Sequence, residues 1–412
     1  MSPEKDSDTS KPASPSEHRT DSAGTFGEGR MGSGADPVVL TRTLVAIDSV
    51  NPSLAATGAG EEEMARATAG WLRAWGFDVT VVEVASGRPN VLASLGSGER
   101  TLLLNGHLDT VGVEGMAVDP FGEDSTAERV VGRGAADMKS GLAIILATAR
   151  SWAADPGTGR LLVAFTCDEE HASLGMQALV EGGVRADAAV VTEPTSLAVM
   201  PAHKGFAWVE ITFTGRAAHG SRPDLGVDAI RHCADFLQEL ELLDVRLGRG
   251  DPHPLLGHGS FHAGTIRGGI AWSVYPDRCV LSLERRTVPG EAADGFLAEV
   301  QAAIDRASRR NPELEASARL DLVRPATEVP LDHPVVRGLL KAVEVAGEDP
   351  RVEGMTAWVD AAYLNEAGIP AVCFGPGSIA QAHTESEWVE VREIRAGAQI
   401  LDDFTRRFLS GS

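Results

Sequence analysis

The sequence predicts an α/β fold: a mostly parallel sheet flanked by helices, interrupted by a smaller inserted α+β unit. Three observations carry this. Apolar runs of strand length (VTVVEV, NVLASL, TLLLNGH, RLLVAFT, AAVVTEP, IPAVCFG) alternate with segments of helical periodicity, as buried parallel strands with crossover helices do. In the middle, FAWVEITFTG switches to strict apolar/polar alternation, the mark of a half-exposed antiparallel strand. After it the order becomes β-α-β-β-α-β-like, through SFHAGTIRG, DRCVLSLERR and their flanking helices. With 412 residues, more than one domain is expected.

Order is expected from Asp36-Pro37, an N-cap followed by proline in the first helical turn. Leu40, Leu44 and Ile47 recur at helical spacing behind it. The second helix, about 61 to 75, carries Met64, Trp71 and Trp75 on one side and stops at Gly76. Further helices are expected at about 138–154, 174–181, 227–243 and 291–309, then beyond His333, with a last amphipathic one ending near Phe408. The resulting division is a disordered tail (1–35, rich in Ser, Pro, Gly and charge), a first catalytic segment (36–200), the inserted unit (201–325) and a second catalytic segment (326–412).

Composition narrows the function. Asp and Glu number 59 against 37 Lys and Arg, a formal charge of -22, which argues against nucleic acid or an anionic membrane as partner. Four scattered cysteines show neither metal-knuckle nor disulfide spacing, so a reducing cytoplasm is expected. No G-x-S-x-G elbow ends a strand, which removes the common serine-hydrolase reading. His253, His258 and His262 lie close together in a Gly/Pro-rich stretch that reads as a polar loop.

Ionisable groups follow the apolar runs at five places. LLLNGHLDT offers His107 and Asp109, GRGAADMKSG offers Asp137, TCDEEH offers Glu169 and Glu170, VVTEPT offers Glu193, and GPGSIAQAH offers His383. Singly each is weak; Asp137 alone reads as a helix N-cap. In an open α/β sheet, however, groups at the carboxyl ends of strands converge on one crevice. With His107, Asp137, Glu170, Glu193 and His383 meeting there, two imidazoles and three carboxylates make a divalent-metal donor set, too many for one tetrahedral zinc but suited to two ions sharing a carboxylate.

The five segments, in this order, resemble the co-catalytic zinc metallopeptidase and deacylase family of acetylornithine deacetylase, succinyl-diaminopimelate desuccinylase, aminoacylase and glutamate carboxypeptidase. EAGIPAVCFGPGS and GPGSIAQAH are most similar to the acetylornithine deacetylase-like branch. The resemblance implies a zinc-peptidase-like catalytic domain with a ferredoxin-like lid through which the chain forms a homodimer. It also implies two divalent ions, zinc first and cobalt second. His107 and Glu193 would hold one, Glu170 and His383 the other, with Asp137 bridging. Asp109 would orient His107, and Glu169 would be the general base. Asp168 receives no part. A non-proline cis peptide is expected at Asp137-Met138. TGRAAHGSRP gives His219 as an oxyanion donor acting from the neighbouring subunit, and LERRTVPGE gives Arg286 as a grip for a substrate carboxylate. Gly375 and Gly377 would shape the loop beside His383 and offer backbone contacts to substrate. Two departures stand out: Ser273 replaces an asparagine of the family's lid, and Ser386 replaces an Asn or Asp. The expected substrate is a small N-acylated amino acid; the alternatives are a carboxypeptidase or dipeptidase on the same site, or an inactive binding protein that keeps the fold.

Overall fold

The computed structural model describes residues 35–411; the expected tail lies outside them but for its last residue. In chain order the helices are α1 (Pro37–Val45), α2 (Glu62–Ala74), α3 (Ser140–Ala154), α4 (Leu174–Glu181), α5 (Ala229–Leu247), α6 (Phe296–Arg310), α7 (Pro334–Val345), α8 (Ala361–Glu366) and α9 (Val391–Ser410). The strands are β1 (Asp78–Ala85), β2 (Arg88–Ser97), β3 (Thr101–His107), β4 (Arg129–Val131), β5 (Gly159–Thr166), β6 (Ala188–Val191), β7 (Val199–His203) and β8 (Gly205–Thr214). They continue as β9 (Ser260–Gly268), β10 (Arg278–Thr287), β11 (Glu315–Arg324), β12 (Thr327–Glu328), β13 (Val352–Met355), β14 (Ala371–Cys373) and β15 (Trp388–Glu390).

Helix starts follow local chemistry. Asp36 caps α1 by accepting from the Val38 and Val39 amides, with Pro37 in the first turn. Asp228 does the same for α5. The largest sheet runs β1-β2-β5-β3-β6-β14-β7-β12, with β13 also on β7. Its centre, β5-β3-β6-β14, is parallel, and β1, β2, β7 and β12 extend it antiparallel. The central strands are buried on both faces, because α1, α3, α7 and α9 cover one side and α4 and α8 the other. That is why they read as continuous apolar runs.

A second sheet, β11-β8-β10-β9, is wholly antiparallel. Only one face is covered, by α5 and α6, around Val209, Phe213, Phe236, Leu281 and Phe296. β8 therefore alternates buried and half-exposed residues along its length. β9 is the outer strand and is exposed almost throughout. β15 and β4 form a separate two-stranded sheet.

Candidate active site

The site gathers at the carboxyl ends of the parallel strands. His107 is the last residue of β3, Glu193 lies two residues after β6, and β5 stops at Thr166. The chain then turns through Asp168 at φ 67°, so Glu169 and Glu170 no longer alternate across a sheet. Both of their backbone amides donate to one carboxylate, that of Asp109, at 3.1 and 3.2 Å. Asp109 is fully buried and also accepts from Asn51 Nδ2 at 2.8 Å. The expected orientation of His107 takes a different form. Its Nδ1 meets the backbone carbonyl of Asp109 at 3.0 Å, and the carboxylate is 3.7 Å away. Asp109 thus holds the ring with its carbonyl and the acidic turn with its side chain.

Asp137 sits in an irregular helical turn, Ala135–Lys139, ahead of α3, and the Asp137-Met138 peptide is cis. Glu387, fully buried, fixes this turn. Its Oε1 accepts from the Ala136 and Asp137 amides at 2.9 and 3.0 Å, and its Oε2 from Gly134 and from Arg133 Nη1 at 3.1 and 2.7 Å. Ser386 beside it carries none of these bonds.

Donor atoms of His107, Asp137 and Glu170 lie within 4.8 Å of one another, close enough to ligate one cation. His107 Nε2 is 3.2 Å from Asp137 Oδ1. His383 Nε2 is 3.0 Å from Glu170 Oε2 and 3.6 Å from Asp137 Oδ2, and its side chain is half exposed at the rim. Glu193 is 2 % exposed, and its Oε1 has no hydrogen-bond partner among the described residues.

The electrostatics show an excess of negative charge. Burial pushes Glu169 and Glu193 well above the usual carboxylate range and also raises Glu170, with neighbouring carboxylates adding to each shift. Asp360, between β13 and α8, is raised to about 7 by burial. Burial disfavours charge on His107, yet its hydrogen bond to Asp137 and the surrounding acids outweigh that and raise its pKa. The hydrogen bond to Glu170 lifts His383 to about 9. An unpartnered buried oxygen on Glu193, two imidazoles and several crowded carboxylates form a donor set suited to divalent cations.

The remaining sequence-nominated residues occupy other places. A Cβ on Gly375 would lie 2.6 Å from the carbonyls of Thr192 and Glu193, so the glycine lets this loop press against the strand end that carries Glu193. Gly377 has φ 84°, donates to Glu393 and packs on Ala136. His219 is exposed in the loop before α5, its Nδ1 2.8 Å from Ser221 Oγ. Arg286, on β10, is paired with Glu284 at 2.7 Å.

Asp168 is not a bystander, as the sequence reading had it. It is fully buried, and its Oδ1 accepts from Arg88 Nη2 at 2.9 Å and from Asn51 Nδ2 at 3.0 Å. Arg88 also forks onto buried Glu61, with both bonds at 2.5 Å. Asn51, Glu61, Arg88, Asp360 and Glu387 all escaped sequence reasoning. Glu387 had a faint signal, an acid in the HTESEWV stretch beside a proposed ligand.

A profile of Peptidase family M20/M25/M40 matches residues 103–407. An acetylornithine deacetylase from Vibrio atlanticus is 32% identical over 370 residues, covering 89% of this chain and 96% of its own. Among solved structures, a tripeptidase from Staphylococcus aureus superposes with TM-score 0.76 at 20% identity, covering 91% of this chain and 98% of its own. A dinuclear metal binding peptidase from Bacillus subtilis does so with TM-score 0.70 at 15% identity, covering 90% and 97%.

Proposed function

Because the chain belongs to peptidase family M20/M25/M40, hydrolases of amide bonds, we propose that it removes the acyl group from an N-acylated amino acid with the help of two divalent ions. The carrying observation is the convergence of His107, Asp137 and Glu170 within 4.8 Å, with His383 against Glu170. In this reading His107 and Glu193 would hold one ion and Glu170 and His383 the other, with Asp137 available to both. The unpartnered oxygen of Glu193 supports its place in the set. Zinc, or cobalt in its place, would polarise the amide carbonyl and acidify water there.

The chain's own groups do the rest. Glu169 takes a proton from the attacking water and returns it to the leaving nitrogen. Its burial supports this role, since a carboxyl pushed above its ordinary range retains a proton long enough to deliver it. Asp109, by gripping both amides of the acidic turn, keeps Glu169 and Glu170 in fixed relation. His219 donates to the oxyanion of the tetrahedral intermediate from a second copy of the chain. The homodimer this requires is supported by the exposed outer strand β9 and by Ile266, Ile270 and Trp272 standing in solvent beside it. Arg286 offers a guanidinium to a substrate carboxylate, and Gly375 and Gly377 shape the loop beside His383, their own amides being held by Thr195 Oγ1 and Glu393. A cytoplasmic location fits four free, buried cysteines. Among the described residues no helix is long and apolar enough to cross a membrane.

The test is Glu169→Ala. It should keep its metal content by elemental analysis and lose nearly all hydrolysis of N-acetyl amino acids. Undiminished turnover removes Glu169 as the base, and full activity in metal-depleted protein sinks the two-ion reading. Dipeptides in the same assay separate deacylase from dipeptidase. Mixing His219→Ala with Glu170→Ala should restore part of the activity through mixed dimers, given subunit exchange.

A further inference from the structure

Asn51 looks at first like a simple turn former. Its Oδ1 accepts from the Ser53 amide at 2.9 Å, the geometry of an Asx turn. That leaves the other half of the carboxamide unexplained. Asn51 is fully buried, and its Nδ2 donates twice, to Asp109 Oδ2 at 2.8 Å and to Asp168 Oδ1 at 3.0 Å. A carboxamide nitrogen has two hydrogens, one for each acid. Aspartate here would have the same shape and no hydrogen to give; serine would have a single one. The backbone holds Asn51 in place. Its amide donates to the Thr110 carbonyl at 2.8 Å, and the Thr110 amide donates to the Ser49 carbonyl at 3.0 Å, so the segment runs beside the residue that follows Asp109.

The two acids pin Glu169 from two sides. Asp168 precedes it in the chain, with φ 67°. The Asp168 amide donates to Glu61 Oε1 at 3.2 Å, and its carbonyl accepts from the Ala172 and Ser173 amides at 3.1 and 2.6 Å. Its Oδ1 is shared by Arg88 and Asn51. Asp109 takes the other side, with Oδ1 on the Glu169 amide and Oδ2 on the Glu170 amide. Both bonds hold only while the Asp109 carboxylate keeps its plane, and the terminal torsion of an aspartate is soft. Among the described residues Asn51 is the only side chain that hydrogen-bonds this carboxylate; the His107 ring stands 3.7 Å from it. Asn51 therefore joins the clamp before Glu169 to the clamp on its amide.

We propose that Asn51 is a positioning residue for the general base: by tying Asp109 to Asp168 it fixes where the Glu169 carboxylate stands relative to the water it deprotonates. The proposal rests on the reading of Glu169 as the base and adds the residue that sets its place. Asn51 bonds neither to Glu169 itself nor to the side chains of His107, Asp137, Glu170, Glu193 or His383. Its loss acts through geometry, and a displacement of the order of 1 Å at a reacting group costs up to about 100-fold in rate.

The experiment compares wild type with Asn51→Leu, which keeps the bulk and removes both donors, and with the milder Asn51→Ser, which keeps one. The zinc-loaded proteins are assayed on N-acetyl-L-methionine, with metal content from elemental analysis. Asn51→Leu should lose about 10–100-fold in kcat, with KM within about threefold of wild type and unchanged metal content, and Asn51→Ser should fall between. Deuterium exchange of the peptide 167–173, followed by mass spectrometry, should be at least about tenfold faster in Asn51→Leu as the Glu169 and Glu170 amides lose their fixed acceptor. Leu72→Ala is the control for stability alone: it opens a cavity under α2, is remote from these hydrogen bonds and should leave kcat per folded molecule intact. Undiminished kcat in both Asn51 variants, a loss carried by KM or by missing metal, unchanged exchange of the turn, or an equal fall of kcat in Leu72→Ala would each overturn the assignment. If wild type does not hydrolyse the substrate, the deacylase reading fails, and the exchange of the turn still decides Asn51.

Discussion

Replacing Arg88 by methionine tests the buried network behind the acidic turn. Arg88 is 7 % exposed and is the only arginine or lysine paired with Glu61 and Asp168 among the described ion pairs, with His171 Nδ1 3.8 Å from Asp168 Oδ1; both acids are fully buried. In Arg88→Met, Glu61 keeps the Asp168 amide at 3.2 Å, and Asp168 keeps Asn51 Nδ2 at 3.0 Å. Removing one partner of a buried pair costs about 3–5 kcal/mol, since the remaining charge stays desolvated. The pH dependence gives a second, sharper readout. Burial already raises Glu61 while Arg88 pulls it down, so losing Arg88 raises it further. A carboxyl whose folded pKa exceeds its unfolded value, about 4.3, contributes stability below that value and loses it as pH rises through the folded pKa. The deficit should therefore be largest near pH 8 and shrink towards pH 5. Adding Glu61→Gln should recover about 1–2 kcal/mol by leaving one unpaired acid instead of two. The assay is urea unfolding of chelator-treated protein, followed by tryptophan fluorescence. A deficit below about 1 kcal/mol near pH 8, or one that does not vary with pH, would refute the reasoning.

Three further outcomes are expected. Glu387→Ala strips acceptors from three backbone amides and from Arg133; it should cost about 3–5 kcal/mol in urea unfolding and lower metal affinity by equilibrium dialysis, because the turn bearing Asp137 loses its anchor. In metal-free protein, wild type should lose stability as pH rises from about 4 through 7, because burial raises Asp360 to about 7 and also raises Glu61, Glu169, Glu170 and Glu193; Asp360→Asn should lessen this loss and be more stable near pH 8 by about 2–4 kcal/mol, judged by thermal unfolding across pH. Gly375→Ala should reduce both stability and activity, since the added methyl would meet the Thr192 and Glu193 carbonyls at 2.6 Å.

What the sequence disclosed, and what it hid, follow one rule. His107, Glu169, Glu170 and Glu193 each stand just beyond an apolar run, and a strand end is visible locally. The metal-like cluster and the parallel centre of the sheet were therefore legible. Arg88 opens β2 after a glycine and reads as a turn residue; its partners lie 27 and 80 positions away. Glu387 reaches back 251 positions to Ala136. Pairings of that span leave no periodicity to detect. Asn51, in SVNPS, reads as loop chemistry, yet it ties two buried carboxylates together. α8 has only six residues, too short for its pattern to show. β11 did carry a signal: EASARLDLVR alternates as an outer-layer strand does.

The grip of Glu387 on residues 134 to 137 also bears on how the protein is made. His383 and Glu387 belong to the last thirty residues of a chain whose other site groups begin at Asn51. During synthesis His107, Asp137, Glu170 and Glu193 emerge long before either, with their like charges unrelieved and the Asp137 turn unanchored. A nascent chain therefore cannot mature its site segment by segment from the N-terminus, as a tandem of independent modules would. Completion waits for the C-terminal segment to dock, and a product cut short before residue 383 would retain most of the sheet while lacking a finished centre.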